Sequence, residues 1–182
     1  MLYILNYLIE NKYIDEADTL FFKYCIEVTV FNFFSVISII IIAMLNNELE
    51  IGISFLLTFI AIRTNLGGFH CKTPTKCLML FPILYSLTGL VKNIITIKLF
   101  YYLSFISILL LFLAKPIKNN KEIINDDYNK CKKRLHIVLK CIVAINLISF
   151  ISNIFNSIVI GVDIAVLLSI ILYIAKYLEM RN

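Results

Sequence analysis

Six long apolar runs dominate this sequence and decide its fold class. They lie at about 26–45, 51–62, 78–91, 94–114, 137–155 and 158–175. A helix needs about 20 residues to cross a hydrocarbon core about 30 Å thick, so six such spans fill most of a 182-residue chain. The composition agrees, because 60% of the residues are apolar and only 16% are charged. The pattern predicts an all-α, polytopic integral membrane protein that forms one membrane-embedded domain over 1–182.

The second and third runs are shorter than a full span. The run at 51–62 covers only about 18 Å as a helix, so it must extend into its flanks or re-enter the membrane. We therefore expect two short helices on either side of the polar loop 63–77. Residues 2–24 carry apolar side chains every three or four positions, which predicts an N-terminal amphipathic helix over 1–24. That helix would lie in the membrane interface or pack against the protein's own loops.

The basic residues are concentrated in alternate segments between these runs. The N-terminal segment, the loop 63–77, the segment 115–140 and the C-terminal tail hold 15 of the 17 lysines and arginines. The positive-inside rule then predicts a multi-pass protein of the cell membrane, with both termini, the loop 63–77 and the basic loop 115–136 in the cytoplasm. The net charge of +5 is therefore explained by the orientation of the chain in the membrane. We expect the lipid bilayer, not nucleic acid, as a partner.

The loop 63–77 holds one of the two histidines and two of the five cysteines. An imidazole that takes the proton of a thiol is the minimal arrangement for a cysteine nucleophile. His70 and Cys77 would be about 10.5 Å apart along a straight helix, so the chain must fold back between them. Pro74 favours a helix start that would place Cys77 in the first turn, where the helix dipole favours a thiolate. The pair Gly67 and Gly68 permits the tight backbone that this requires.

Other readings of this loop stay open. A cysteine at a helix start can serve packing alone, and Cys71 is a rival nucleophile, although as the neighbour of His70 it would tend to point away from the imidazole. A metal site is a weaker alternative, because His70, Cys71 and Cys77 offer at most three ligands without the usual paired spacing. We expect no metal and no cofactor.

The residues Arg63, Gly67, Gly68 and His70, followed by Cys77 seven positions after the histidine, resemble the signature of the accessory gene regulator B (AgrB) family. The similarity extends to the order of the apolar runs and to a Lys-Pro basic segment after the fourth run. Members of that family are membrane cysteine endopeptidases that process the precursors of quorum-sensing peptides in low-GC Gram-positive bacteria. The resemblance implies the same activity here.

The resemblance also implies roles for individual residues. Cys77 matches the nucleophile and His70 the general base, while Arg63, Gly67 and Gly68 match positions that support activity. No acidic residue in the loop can orient His70, so Asn65 or a backbone carbonyl would do so. Arg63 would bind a substrate carboxylate, pair with Glu27, or simply anchor its helix at the membrane surface. The implied reaction forms a thioester on Cys77 and releases a thiolactone, and a homodimer is also consistent with the resemblance.

The segment after the fourth run carries the largest concentration of positive charge. It would bind the acidic C-terminal part of a small precursor peptide whose N-terminal part is amphipathic, or it would only enforce topology. The candidate substrate-binding residues are Lys115, Lys118, Lys130, Lys132, Lys133 and Arg134. An acid inside the last run, Asp163, is a functional candidate unless it reaches water near the outer end of its span. The alternative function is a small membrane transporter or peptide exporter, which would need paired polar residues deep in several spans.

Overall fold

The protein is described by a computed structural model that covers residues 11, 19–66, 80–87, 89, 97–116, 125–152 and 156–181. Helices make up almost all of these residues. In chain order they are α1 (Thr19–Leu45), α2 (Leu49–Leu66), α3 (80–87), α4 (Ile97–Leu113), α5 (Asn125–Ser152) and α6 (Asn156–Arg181). By length and composition α1, α2, α5 and α6 can each cross a membrane, while the apolar part of α4 is shorter. The predicted all-α membrane fold is confirmed.

The second apolar run was expected either to extend into its flanks or to re-enter the membrane, and helix α2 distinguishes between the two. It includes residues on both flanks of that run and reaches 18 residues, or about 27 Å. Its polar end is satisfied locally, because the Thr64 hydroxyl donates to the Ile60 carbonyl at 2.9 Å. The Asn65 amide likewise donates to the Ala61 carbonyl at 2.7 Å. The run therefore extends into its flanks and is not a short helix.

A tight turn joins α1 to α2 as an antiparallel hairpin. Asn47 adopts a left-handed backbone with φ of 56°, which asparagine tolerates better than most residues. The amide of Glu48 then donates to the Ala43 carbonyl at 2.8 Å and closes the end of α1. Gly52 allows the close approach that follows, because a Cβ there would meet the side chains of Ala43 and Tyr85.

Helices α2 and α6 form the centre of the fold. They share the most extensive helix–helix interface, and α6 has the largest buried share of the membrane-length helices. Gly161 of α6 lies directly on α2, where a Cβ would meet the Ser54 hydroxyl and the Ile51 carbonyl. Small residues at such a contact let two backbones approach closely, which is how helices associate without a hydrophobic driving force.

Two apolar cores flank this central pair. The first joins α2 and α6 to α1 and α3, and its buried members are Ile39, Ala43, Phe55, Leu56, Phe59, Phe81, Tyr85, Ile164, Ala165, Leu168 and Leu172. The second joins α2 and α6 to α4 and α5, and its buried members are Ile62, Leu66, Ile108, Leu111, Ala114, Leu135, Leu139, Ile142, Val162, Val166 and Ile170. The end of α2 and the end of α4 thereby pack against α5 and against the middle of α6.

The structure changes two expectations about polar segments. The stretch 115–136, which the sequence placed in a loop, is helical from Asn125 onward, so its main cluster of basic residues lies on α5. Asp163 does not reach water, because it is only 1% exposed. Most of the predicted amphipathic helix over 1–24 falls outside the described residues, and the residues from Thr19 onward belong to α1.

Candidate functional site

The last turn of α2 forms one side of the base of the loop 63–77. Ile62 and Leu66 are buried in the second core, which fixes the end of the helix against α4, α5 and α6. Arg63 lies between them on the half-buried face, and its guanidinium carbon is 5.7 Å from the centre of the Phe81 ring. A guanidinium over an aromatic face at this distance is a cation–π contact. Arg63 is therefore held by a residue on the far side of the loop.

Aromatic packing joins the start of α3 to the same place. The ring of Phe81 packs edge-on against Phe59, with ring centres 5.3 Å apart. Phe59 stacks on Phe55 at 5.6 Å, and Phe55 contacts Tyr85 at 5.1 Å. The four rings form a continuous aromatic cluster between α2 and α3. The cluster therefore holds the second half of α2 and the start of α3 together.

Asn65 was the predicted side chain that would orient His70. Its Nδ2 donates to the Ala61 carbonyl at 2.7 Å and lies 3.4 Å from the Thr64 hydroxyl. These hydrogen bonds fix the amide against its own helix. Its Oδ1 is then the atom that can accept a hydrogen bond from an imidazole N–H. Orientation of His70 by Asn65 stays a prediction.

Several predicted site residues lie outside the described residues. They are Gly67, Gly68, His70, Cys77 and the basic residue Lys118, together with the rival nucleophile Cys71. The described part of the site consists of Arg63, Asn65 and the aromatic residues that close the base of the loop. Three other cysteines are described, and Cys25, Cys131 and Cys141 are free thiols.

The basic residues of α5 form a helical surface. Lys130, Lys132, Lys133 and Arg134 are all exposed. At 100° per residue, Lys130, Lys133 and Arg134 fall within about 100° of one another, and Lys132 points to the other side of the helix. We call Lys130, Lys133 and Arg134 the basic stripe. Like charges three and four residues apart on a helix repel one another.

Two contacts that the sequence did not suggest hold the neighbouring end of α4. The Tyr173 hydroxyl of α6 donates to the Lys115 carbonyl and accepts from the Lys115 amide, both at 3.2 Å. The ring of His136 packs edge-on against Phe112, with centres 5.3 Å apart. The backbone of exposed Lys115 is thereby fixed where α4 ends.

A third polar group lies far inside the bundle. Asp163 accepts hydrogen bonds from the Ser104 hydroxyl at 2.6 Å and from the Asn146 amide at 2.8 Å. The sequence singled out the acid, but it missed Ser104 and Asn146, which come from α4 and α5. A search for polar residues near the middle of each apolar run would have found them, because helices in a membrane bury such residues against one another.

The comparisons with known proteins agree with the sequence signature. A sequence model described as accessory gene regulator B matches residues 2–172, which is nearly the whole chain. No curated protein matches, and no solved structure matches. The resemblance drawn from the loop 63–77 is confirmed at the level of the family. The chain thus belongs to the accessory gene regulator B (AgrB) family, which takes part in processing the autoinducer of quorum sensing.

Proposed function

We propose that this protein is a cysteine endopeptidase that removes the C-terminal part of a quorum-sensing precursor peptide. Cys77 is the nucleophile and His70 is its general base. The proposal rests on the family of the chain and on the spacing of His70 and Cys77 in the segment between α2 and α3. We further infer that the enzyme works at the cytoplasmic face of the cell membrane of a Gram-positive bacterium.

The closed base of the loop is the observation that carries this proposal. Thirteen residues, 67–79, separate the end of α2 from the described start of α3. Phe81, near the start of α3, packs on Phe59 and lies against the guanidinium of Arg63, so the last two turns of α2 and the start of α3 are held together. A short segment tethered at both ends keeps its side chains at an effective concentration on the order of millimolar or above. This tethering supports the proposal, because it would lower the entropic cost of bringing His70 and Cys77 together.

The proposed reaction proceeds through a thioester. His70 removes the thiol proton of Cys77, and the thiolate attacks the scissile carbonyl. The new C–S bond forms as the C–N bond breaks, and His70 returns the proton to the leaving amine. An internal thiol of the peptide then displaces Cys77 and closes a thiolactone, which preserves the energy of the thioester. Hydrolysis would dissipate that energy, so the mechanism requires a site that excludes water while the thioester is present.

The basic stripe of α5 and, separately, Lys115 are the residues proposed to bind an acidic C-terminal part of the precursor. These side chains are exposed, and the contacts of Tyr173 and His136 fix the helix ends that carry them. An amphipathic N-terminal part of the same peptide would lie in the membrane interface. The surface thus orients the precursor, while the loop 63–77 performs the chemistry.

Three alanine variants test the proposal. Cys77→Ala and His70→Ala should each abolish cleavage of a co-expressed precursor while membrane insertion is unchanged. Cys71→Ala is the matched control in the same loop and should retain cleavage. Mass analysis of the released peptide measures the result. Full activity of Cys77→Ala, or loss of activity only in Cys71→Ala, would refute the assignment of the nucleophile.

A transporter or peptide exporter remains the second candidate, and one observation favours it. Ser104, Asn146 and Asp163 place polar groups from three helices deep in the bundle. Purified protein in detergent separates the two functions, because cleavage needs no membrane gradient and transport does. Cleavage of the precursor in detergent supports the peptidase. Movement of uncleaved peptide into vesicles, without cleavage, supports the transporter.

A further inference from the structure

The buried polar cluster joins three helices through one atom. The Ser104 hydroxyl of α4 and the Asn146 amide of α5 both donate to Oδ1 of Asp163 on α6, at 2.6 and 2.8 Å. The Asn146 amide also lies 3.4 Å from the Ser104 hydroxyl oxygen. Ser104 is fully buried, and Asp163 is 1% exposed. The carboxyl group of Asp163 is thus the meeting point of α4, α5 and α6.

Two oxygens in this cluster have no hydrogen-bond partner within the described part of the chain. They are Oδ2 of Asp163 and Oδ1 of Asn146, and both are shielded from solvent. An ionised carboxylate and a carboxamide oxygen only accept hydrogen bonds, so neither can satisfy the other. A buried acceptor without a partner is destabilising, and two in one cluster indicate that a donor is lacking.

The charge of an ionised Asp163 would also be unbalanced. Its contacts among the described residues are with Ser104 and Asn146, which are neutral. The other titratable side chains described along the facing parts of α2, α4, α5 and α6 are Glu50, Arg63, Tyr101, Tyr102, His136, Lys140, Cys141, Tyr173 and Lys176. None of these makes a hydrogen bond or ion pair with Asp163. A buried charge without a countercharge is costly, and binding a proton or a metal cation would remove it.

The backbone around the cluster distinguishes a proton from a metal ion. Helices α4, α5 and α6 continue without a break past Ser104, Asn146 and Asp163, so their carbonyls are engaged in helical hydrogen bonds. Sodium sites in membrane proteins draw on the free carbonyls of broken helices, and hard divalent cations need about six oxygen ligands. The cluster offers only a few side-chain oxygens. A proton needs one donor atom and one acceptor atom, and the two unpartnered oxygens supply both.

We propose that Asp163 is a proton-binding site, held as a neutral carboxylic acid whose hydroxyl donates to Oδ1 of Asn146. The acid and the carboxamide then form a pair with two hydrogen bonds in opposite directions. The Asn146 amide donates to Oδ1 of Asp163, and the new O–H of Asp163 donates back. The proton comes from water when the helices assemble, and no other reactant is needed. The charge and both unpartnered oxygens are removed together.

This pair also makes Asp163 a positioning residue for the proposed enzyme. Helix α6 packs on α2, which carries Arg63 and leads into the loop of Cys77. Helix α5 carries the basic stripe, and the acid–amide pair joins it to α6. The distance between the loop of Cys77 and the basic stripe therefore depends on the acid–amide pair that joins α5 to α6. This consequence rests on the proposed peptidase function, whereas the protonation of Asp163 does not.

Infrared difference spectroscopy of the purified full chain tests the protonation directly. Asp163→Asn is the matched variant, because its amide presents an N–H where the acid presents an O–H. Subtracting the variant spectrum from that of the wild type at neutral pH should reveal the carbonyl band of a protonated carboxylic acid, which shifts in heavy water. A carboxylate band in its place would overturn the proposal.

Unfolding measurements give an independent result. Asp163→Asn should unfold within about twofold of the wild type, whereas Asp163→Leu should raise the unfolded fraction about tenfold, since interhelical hydrogen bonds in membranes are individually weak. If Asp163→Leu does not fold, the unfolding of Asp163→Asn and the infrared band still test whether Asp163 is protonated. The proposal would be overturned in favour of a metal ion if sodium chloride stabilised the wild type more than choline chloride did and Asp163→Asn showed no such difference.

The cleavage assay tests the positioning role of Asp163. Asp163→Leu should raise KM more than it lowers kcat, and an absence of any wild-type cleavage would count against the peptidase alone.

Discussion

The contact of Gly161 with α2 supports a quantitative prediction about stability. A Cβ at this position would overlap the Ile51 carbonyl and the Ser54 hydroxyl, and it would lie 3.1 Å from the Phe55 amide nitrogen. Two of these three atoms belong to the α2 backbone and cannot rotate away. Gly161→Ala must therefore push α2 and α6 apart by about 1 Å, a gap that forfeits a large part of the dispersion energy across the interface.

The expected cost lies at the upper end of the range for overpacking, about 3 kcal/mol, because the obstruction is backbone and the interface is the most extensive in the fold. That corresponds to about a hundredfold increase in the unfolded fraction. Unfolding in mixed detergent micelles, followed by circular dichroism, measures it. Removing the Ser54 hydroxyl in the double variant Gly161→Ala with Ser54→Ala should recover only a small part of the loss, since the backbone contacts persist.

Gly89→Ala is the matched control, because no described heavy atom lies within 4 Å of a Cβ built there. Its stability should match the wild type within about 0.5 kcal/mol. If Gly161→Ala unfolds at the same detergent composition as Gly89→Ala, the close packing of α2 on α6 is wrong. The central position of these two helices in the fold would then have to be abandoned.

Two further predictions concern substrate binding. Replacing the three residues of the basic stripe with glutamine should raise KM about tenfold at low salt and much less at 1 M salt, where charges are screened within about 3 Å. Lys132→Gln, on the other side of α5, should have little effect. An unchanged KM in the triple variant would reduce the stripe to a topology signal. Arg63→Lys keeps the charge but not the planar group that stacks on Phe81. A severalfold higher KM in that variant indicates that Arg63 binds a substrate carboxylate, whereas an unchanged KM refutes that role and leaves a membrane anchor.

The sequence predicted the order of the six apolar helices in the described part of the chain, because apolar runs are the strongest signal that a membrane protein carries. The sequence predicted too short a helix for α2, because Thr64 and Asn65 are polar and interrupt the apolar pattern at its end. Their side chains bond to carbonyls one turn earlier, at Ile60 and Ala61, which satisfies them inside the helix. It also missed the start of α5, because a lysine-rich stretch looks like a loop when hydropathy alone is considered.

The environment of Asp163 could not be predicted from local pattern. Its two partners lie 59 and 17 residues away, on different helices, and their contact depends on how α4 and α5 pack against α6. Likewise, the spacing of Arg63, His70 and Cys77 predicted a site but not the aromatic contacts of Phe81 that close its base. The spacing of a motif indicates which residues can react, but the packing of the helices determines their positions in the structure.

Capture of the acyl-enzyme tests most directly whether Cys77 forms a thioester with the precursor. A precursor whose internal cysteine is replaced by alanine can still be attacked but cannot cyclise, so the thioester should accumulate. Intact mass analysis should find the chain heavier by the N-terminal part of the peptide, hydroxylamine should release the adduct, and peptide mapping should place it on Cys77. Release of the C-terminal fragment by Cys77→Ala at the wild-type rate, with no adduct on the wild-type protein, would contradict the proposed mechanism.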